Sequence, residues 1–292
     1  MTTSLVALVL SGGGAKTAAH LGASRALAEA GLAPARYVAT SMGAVIAAGL
    51  AAGMDHGMLL ERLTEVGRRG IVRDRLAPLA GLFAGALLRP RPFRRAVEAL
   101  VPARRFAELG VPLTVSVVDL DTGELLLYGA GGEDAPLIDV LCASCALPLY
   151  FPPVPLAGRR CGDGGLRGVL PLEAAARLAV TENVVAVDVG PGLDAVGGPP
   201  VGSPPLVRAH DEAVGTLMAA HTAAQLAAWR GAPERPPLLY VRPGVERNAT
   251  FQVERMRRYA EDGYHAARAA LAGVLPAAAA DAPLTGTSFG AN

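Results

Sequence analysis

With 292 residues, 51% of them hydrophobic and 18% charged, the chain holds enough apolar material for one large α/β domain or two small ones. A formal net charge of +1 lacks the basic surplus that would draw a nucleic-acid partner. Residues 5–10 are too short and too lightly flanked for a secretory signal, and no apolar run reaches the ~18 residues of a spanning helix. Three cysteines, Cys142, Cys145 and Cys161, do not make a disulfide framework, so the expectation is a soluble cytoplasmic protein with reduced thiols.

In chain order, short aliphatic runs at 5–10, 37–40, 113–118, 125–128, 184–189 and 238–241 read as strands buried on both faces. Helical spacing lies between them, at 16–31, 42–53, 58–67, 92–101, 171–180, 206–229 and 251–273. Strands alternating with helices predict a mostly parallel sheet covered on both sides. The segment 66–105 stands apart, with ten arginines against Asp74 and Glu98. It encloses an uncharged run, 76–88, whose length suits an interfacial or lid helix or a helix covering the core. The Gly/Pro-rich stretch 190–205 reads as a long loop, and the tail 276–292 as disordered. The domain expected is 1–275, with 66–105 as a lid or membrane-facing insertion.

The first strand runs into Ser11 and then Gly12, Gly13 and Gly14. A phosphate-binding P-loop is excluded because Leu10 and Ala15 stand where its glycines are required. A dinucleotide fingerprint fits poorly: Thr17 replaces its third glycine, and the strand 37–40 ends without the carboxylate that holds a ribose. An oxyanion hole remains, since glycines let backbone N–H groups turn toward a small anion beside a helix N-terminus.

Such a loop needs a nucleophile nearby. In YVATSMGAVIAAG, residues 37–49, Ser41 lies between a strand and a helix, the layout of a nucleophile elbow, with Gly43 in the second glycine place and Ala39 in the first. Parallel neighbouring strands would bring both turns to one carboxyl edge. Among the histidines, His20 falls in the first helix, where packing or capping suits it. His56 follows a helix end, and His210, His221 and His265 sit in long helical patterns. The usual Ser–Asp–His hydrolase order does not fit a serine this early. Asp163, followed by Gly164 and Gly165, offers a carboxylate on a tight turn. Cys142-x-x-Cys145 with Cys161 lacks the ligands of a zinc site and reads as small buried thiols.

Three blocks together resemble the patatin-like phospholipase family: SGGGAKTAAHLGASRALAEAGL (11–32), ATSMGAVIAAGLAAG (39–53) and CASCALPLYFPPVPLAGRRCGDGGLRGVLPLEAA (142–175). The resemblance implies a three-layer α/β/α fold and a Ser41–Asp163 dyad acting on lipid acyl esters. The amides of Gly12, Gly13 and Gly14 would bind the oxyanion. Lys16 falls where the family has a basic residue, and Met42 would add an amide. The chain departs from the family pattern at Thr17, at Ala39 and at Gly168-Val169. No cofactor or metal is implied. An anionic membrane surface is a candidate peripheral partner for 66–105. An acyltransferase using the same serine, or a non-catalytic lipid-binding module, remain alternative readings.

Overall fold

The computed structural model describes residues 3–68, 86–193, 205–246 and 250–274. Most of the uncharged run 76–88, much of the loop 190–205 and the whole tail 276–292 lie outside the described residues. Among the described residues, eight strands form one sheet: β1 (Ser4–Leu10), β2 (Leu32–Thr40), β3 (Leu113–Asp119), β4 (Leu125–Gly129), β5 (Val154–Leu156), β6 (Arg159–Asp163), β7 (Asn183–Val187) and β8 (Leu238–Val241). Their order is β5-β6-β3-β2-β1-β7-β8, with β4 also on β3. The pairs β1–β2, β1–β7, β2–β3 and β7–β8 are parallel, while β4, β5 and β6 add an antiparallel margin.

The helices are α1 (Ala18–Glu29), α2 (Ser41–Ala51), α3 (His56–Arg68), α4 (Pro90–Leu100), α5 (Leu137–Ser144), α6 (Gly165–Gly168), α7 (Leu172–Arg177), α8 (Pro205–Arg230) and α9 (Met256–Val274). Alternation along β1 divides them into two layers. Val6, Leu8 and Leu10 share a core with side chains of α1, α2, α3, α4, α5 and α9. Ala7 and Val9 face the other way, onto Leu172, Ala175, Leu226 and Trp229 of α7 and α8. The architecture is the three-layer α/β/α sandwich expected.

Two differences from the sequence reading have local causes. Strand β2 starts at Leu32, not at residue 37, and so includes Pro34. The register slips between Val6 and Ala7, and β3 pairs with β2 only from Tyr37 onward. Pro34 therefore lies beside a bulge with one edge free of ladder bonds, where a proline is tolerated. Helix α5 and strand β6 were missed because short, nearly uniform apolar or mixed runs carry no readable period.

One feature of the sheet positions the site. Strand β4 occupies one edge of β3 from Thr114 to Val118. Strands β2 and β6 must then share the other edge, end to end. β2 pairs up to Thr40 opposite Ser116, and β6 begins its pairing with Asp163 opposite Val117. The carboxyl ends of two strands running in opposite directions thus abut, at successive residues of β3.

Candidate active site

Ser41 leaves β2 at that junction. Thr40 is extended, Ser41 takes φ 53°, and α2 starts at once. A left-handed conformation is costly for a residue with a Cβ and persists only where its surroundings enforce it. They do so here. The Ser41 amide donates to Ser144 Oγ at 2.8 Å, and the Ser144 hydroxyl donates to the Ser116 carbonyl at 2.8 Å. A Cβ on Gly43 would lie 2.3 Å from the Ser11 carbonyl oxygen, so only glycine lets α2 start this close to the end of β1. Ala39 is fully buried in the first core, which absorbs the extra methyl at the elbow's first position.

Asp163 closes β6 from the other side. Ser41 Oγ donates to Asp163 Oδ2 at 2.8 Å, and Gly165 N–H donates to Oδ1 at 2.7 Å. The Asp163 amide is held by the Ala146 carbonyl at 3.0 Å. A Cβ on Gly164 would come within 2.3 Å of the Ser116 carbonyl oxygen, so this glycine too is set by close approach. Burial pushes the Asp163 carboxyl up to about 6, against the two hydrogen bonds that favour its charge. Cys145 lies beside the pair, and burial together with the Asp163 charge pushes its thiol up, so it stays protonated.

The glycine loop stands against Ser41: a Cβ on Gly12 would lie 2.9 Å from Ser41 Cβ. The expectation for Gly12 needs a correction, because its amide donates to the Val169 carbonyl at 2.8 Å and is not available to an oxyanion. Among the described residues, the amides of Gly13 and Gly14 meet no acceptor. Gly14 has φ 59°, and a Cβ there would sit 2.3 Å from the Thr250 carbonyl oxygen. Met42 lies in the first turn of α2, where amides point outward. The side chain of Lys16 is buried beneath the loop, and its Cε lies 3.5 Å from where a Gly13 Cβ would stand. The Thr17 hydroxyl donates to the Gly14 carbonyl at 2.6 Å, so this departure from the family's glycine adds a brace to the loop.

His20 is not a base for Ser41. It is fully buried, and its Nε2 bonds the Ser11 carbonyl at 2.8 Å, which makes it a donor from a neutral ring. Burial holds it down to about 4.

Two clefts meet at Ser41 and Asp163. One is apolar and walled by Leu63, Val66, Phe93, Val97, Leu100, Phe151, Val253 and Met256. The other carries Lys16, Asp211, Gln252 and Met218. Tyr150 lines both and donates to Asp211 Oδ2 at 2.6 Å, tying the divide to α8. Ser144, Tyr150, Asp211, Thr250 and Phe251 were not assigned from sequence. The first two lie in the recognised block 142–175, but the last three come from the C-terminal third, which carries no motif. The described part of 66–105 supplies a wall of the apolar cleft through α4. Within the chain Arg94 pairs with Glu98 and Asp139, Arg105 pairs with Glu108, and Arg104 donates to the Val101 carbonyl. Among the described residues no helix is long and apolar enough to cross a membrane, and no cluster of three metal-ligating side chains occurs.

Fold and site together define an α/β protein with a serine–carboxylate pair at the carboxyl rim of its sheet. Residues 8–176 match the family profile described as patatin-like phospholipase, and the chain belongs to that family. It is 28% identical over 197 residues to human patatin-like phospholipase domain-containing protein 6, covering 65% of this chain and 14% of that protein. It is 32% identical over 196 residues to an uncharacterized NTE family protein of Mycobacterium tuberculosis, covering 65% of this chain and 52% of that one. The chain thus spans about half or less of the length of these relatives. Among solved structures it is similar to VipD from Legionella pneumophila, with TM-score 0.47 and 18% identity over 92% of this chain and 67% of that one.

Proposed function

We propose that the chain is a serine hydrolase cleaving acyl esters of lipids, of the phospholipase A, lysophospholipase or esterase type. The observation that carries this reading is the 2.8 Å hydrogen bond from Ser41 Oγ to a buried carboxylate, Asp163 Oδ2, at the foot of an apolar cleft. Asp163 takes the proton as Ser41 Oγ attacks the ester carbonyl, and the acyl group passes to Ser41. The alkoxide of the alcohol leaves with that proton. Water, activated by the same carboxylate, then releases the acid and returns the proton to Ser41. An ordinary exposed aspartate is too weak a base for this. The dryness that lifts Asp163 to about 6 brings it nearer the working range. The amides of Gly13 and Gly14, with that of Met42, stabilise the tetrahedral oxyanion, each donor being worth about 3 kcal/mol. The apolar cleft takes the acyl chain, and the cleft carrying Lys16 and Asp211 takes the alcohol portion.

The test is hydrolysis of short nitrophenyl esters by purified Ser41→Ala and Asp163→Asn. Each is expected to lose about 10³-fold or more in kcat while remaining folded. A fluorophosphonate should label Ser41 in the parent chain. Undiminished hydrolysis by either variant rejects the dyad.

A further inference from the structure

Among the described residues, Arg242 and the buried carboxylate of Asp188 form an ion pair that the chemistry above does not use. Strands β7 and β8 run parallel with Val187 opposite Val241. The next residue of each, Asp188 and Arg242, therefore stand side by side at the carboxyl rim. Asp188 is buried, and its Oδ2 accepts from Arg242 Nη1 at 3.0 Å and from Tyr240 Oη at 2.8 Å. Its Oδ1 accepts from the Gly190 amide at 2.8 Å. Arg242 Nη1 also donates to the Asp188 and Gly190 carbonyls, at 3.1 and 3.0 Å. Neither side chain is among the described residues lining the two clefts.

What this clamp fixes is Val189, the residue enclosed by its bonds. The Val189 amide donates to Ser11 Oγ at 2.8 Å. A Cβ on Gly13 would lie 2.8 Å from Val189 Cγ2 and 3.1 Å from its carbonyl oxygen. Gly13 is thus pressed against Val189, and Ser11, two residues before it, is held by the Val189 amide. The position of Val189 sets where the glycine loop lies. A bend after a strand could be made far more cheaply than with a buried charge, whose partner's loss is strongly destabilising.

We infer that Asp188 and Arg242 are positioning residues for the glycine loop: through Val189 they hold the Gly13 and Gly14 amides in the geometry the tetrahedral intermediate requires. This rests on the oxyanion role proposed for those amides. A misplacement of about 1 Å in such a site costs on the order of 100-fold in rate.

The experiment compares the parent chain with Arg242→Ala, Arg242→Lys and the double variant Asp188→Asn/Arg242→Met. The double variant removes both charges of the pair together and serves where Arg242→Ala fails to fold. Three quantities are read: Tm, kcat and KM on a short nitrophenyl ester, and affinity for butylboronic acid, which forms a tetrahedral adduct on a serine. The double variant is expected to recover Tm toward the parent, yet to lose about 30- to 100-fold in both kcat and boronate affinity. KM should change less than about 3-fold. Arg242→Lys, which keeps the charge but not the planar fork, should fall between. A folded double variant with parental kcat and boronate affinity overturns the inference and leaves the pair a matter of charge balance. Ser41→Ala, run alongside, separates the outcomes. Retained hydrolysis there would overturn the dyad itself, whatever the Arg242 variants do.

Discussion

Ser41 and Asp163 each depart from what their residue type prefers, one in backbone and one in charge. The serine holds φ 53°, with its amide anchored on Ser144, which turns its hydroxyl out of the helix and toward the carboxylate. The aspartate is held in a site where burial makes ionisation harder, lifting it to about 6. These two facts give a prediction for rate. A carboxylate base works only when ionised, so kcat/KM should fall about tenfold per pH unit below about 6 and level off above it. His20, held down to about 4 and bonded to the Ser11 carbonyl, is neutral throughout that range and adds no limb of its own. A pH profile of ester hydrolysis checks this. A flat profile between pH 5 and 8, or a midpoint near 4, would show that Asp163 is not the titrating base. At this scale much of the site was legible: a glycine run, a serine after a strand and an Asp-Gly-Gly turn are local signals. Whether a given amide is free is not local. Gly12 loses its N–H to Val169, a partner far along the chain that nothing near Gly12 announces. Gly168, in the Gly168-Val169 pair where the chain departs from the family pattern, is similar. A Cβ there would lie 2.7 Å from Gln225 Nε2, so a side chain of α8 takes up the space.

Helices α1 and α9 pack closer than ordinary side chains allow. A Cβ on Gly22 would lie 1.7 Å from the Ala260 carbonyl oxygen, and one on Gly263 would lie 2.0 Å from that of Ala19. Backbone touches backbone, so no rotamer change relieves an added methyl. Gly22→Ala or Gly263→Ala is expected to destabilise by about 2 to 4 kcal/mol, through forced separation of the two helices. Gly273→Ala serves as the control. It lies in α9 with nothing within 4 Å of its Cβ position, and should be neutral or stabilising by up to about 1 kcal/mol. Urea unfolding measures all three, and equal effects at Gly22 and Gly273 would exclude the close crossing. In the sequence, glycines inside a helical pattern only lower its propensity. Their purpose appears when a helix more than two hundred residues away is laid across them. The same holds for β6, which pairs with β3 through Cys161, Gly162 and Asp163 by virtue of a vacant half-edge, and for the Asp188–Arg242 clamp, set by strand register.

At the scale of the whole molecule, buried His20 and buried Asp163 act on stability with opposite signs. His20 is lowered from 6.5 to about 4 by burial. Its contribution is fully present above pH 6.5 and is lost as pH falls through 4, where the folded chain must charge it. Asp163 is raised from 3.8 to about 6, again by burial. Its neutral form favours the folded chain, so that contribution is fully present below pH 3.8 and is lost as pH rises through 6. At neutral pH the folded protein therefore carries an ionised carboxylate in a dry site, at a cost on the order of 3 kcal/mol. Asp163→Asn removes that cost while the side-chain oxygen can still accept from Gly165 N–H. The variant should unfold roughly 5 °C higher than the parent at pH 8, with the difference shrinking to nothing below about pH 4. Because His20 is present in both chains, subtracting one melting curve from the other isolates Asp163. Calorimetry at pH 4, 6 and 8 makes the measurement. A constant difference would assign the change to packing, and a lower Tm at pH 8 would mean that the carboxylate's hydrogen bonds outweigh its desolvation. Read with the loss of ester hydrolysis expected of the same variant, a higher Tm at pH 8 would make Asp163 a residue kept at the expense of the fold.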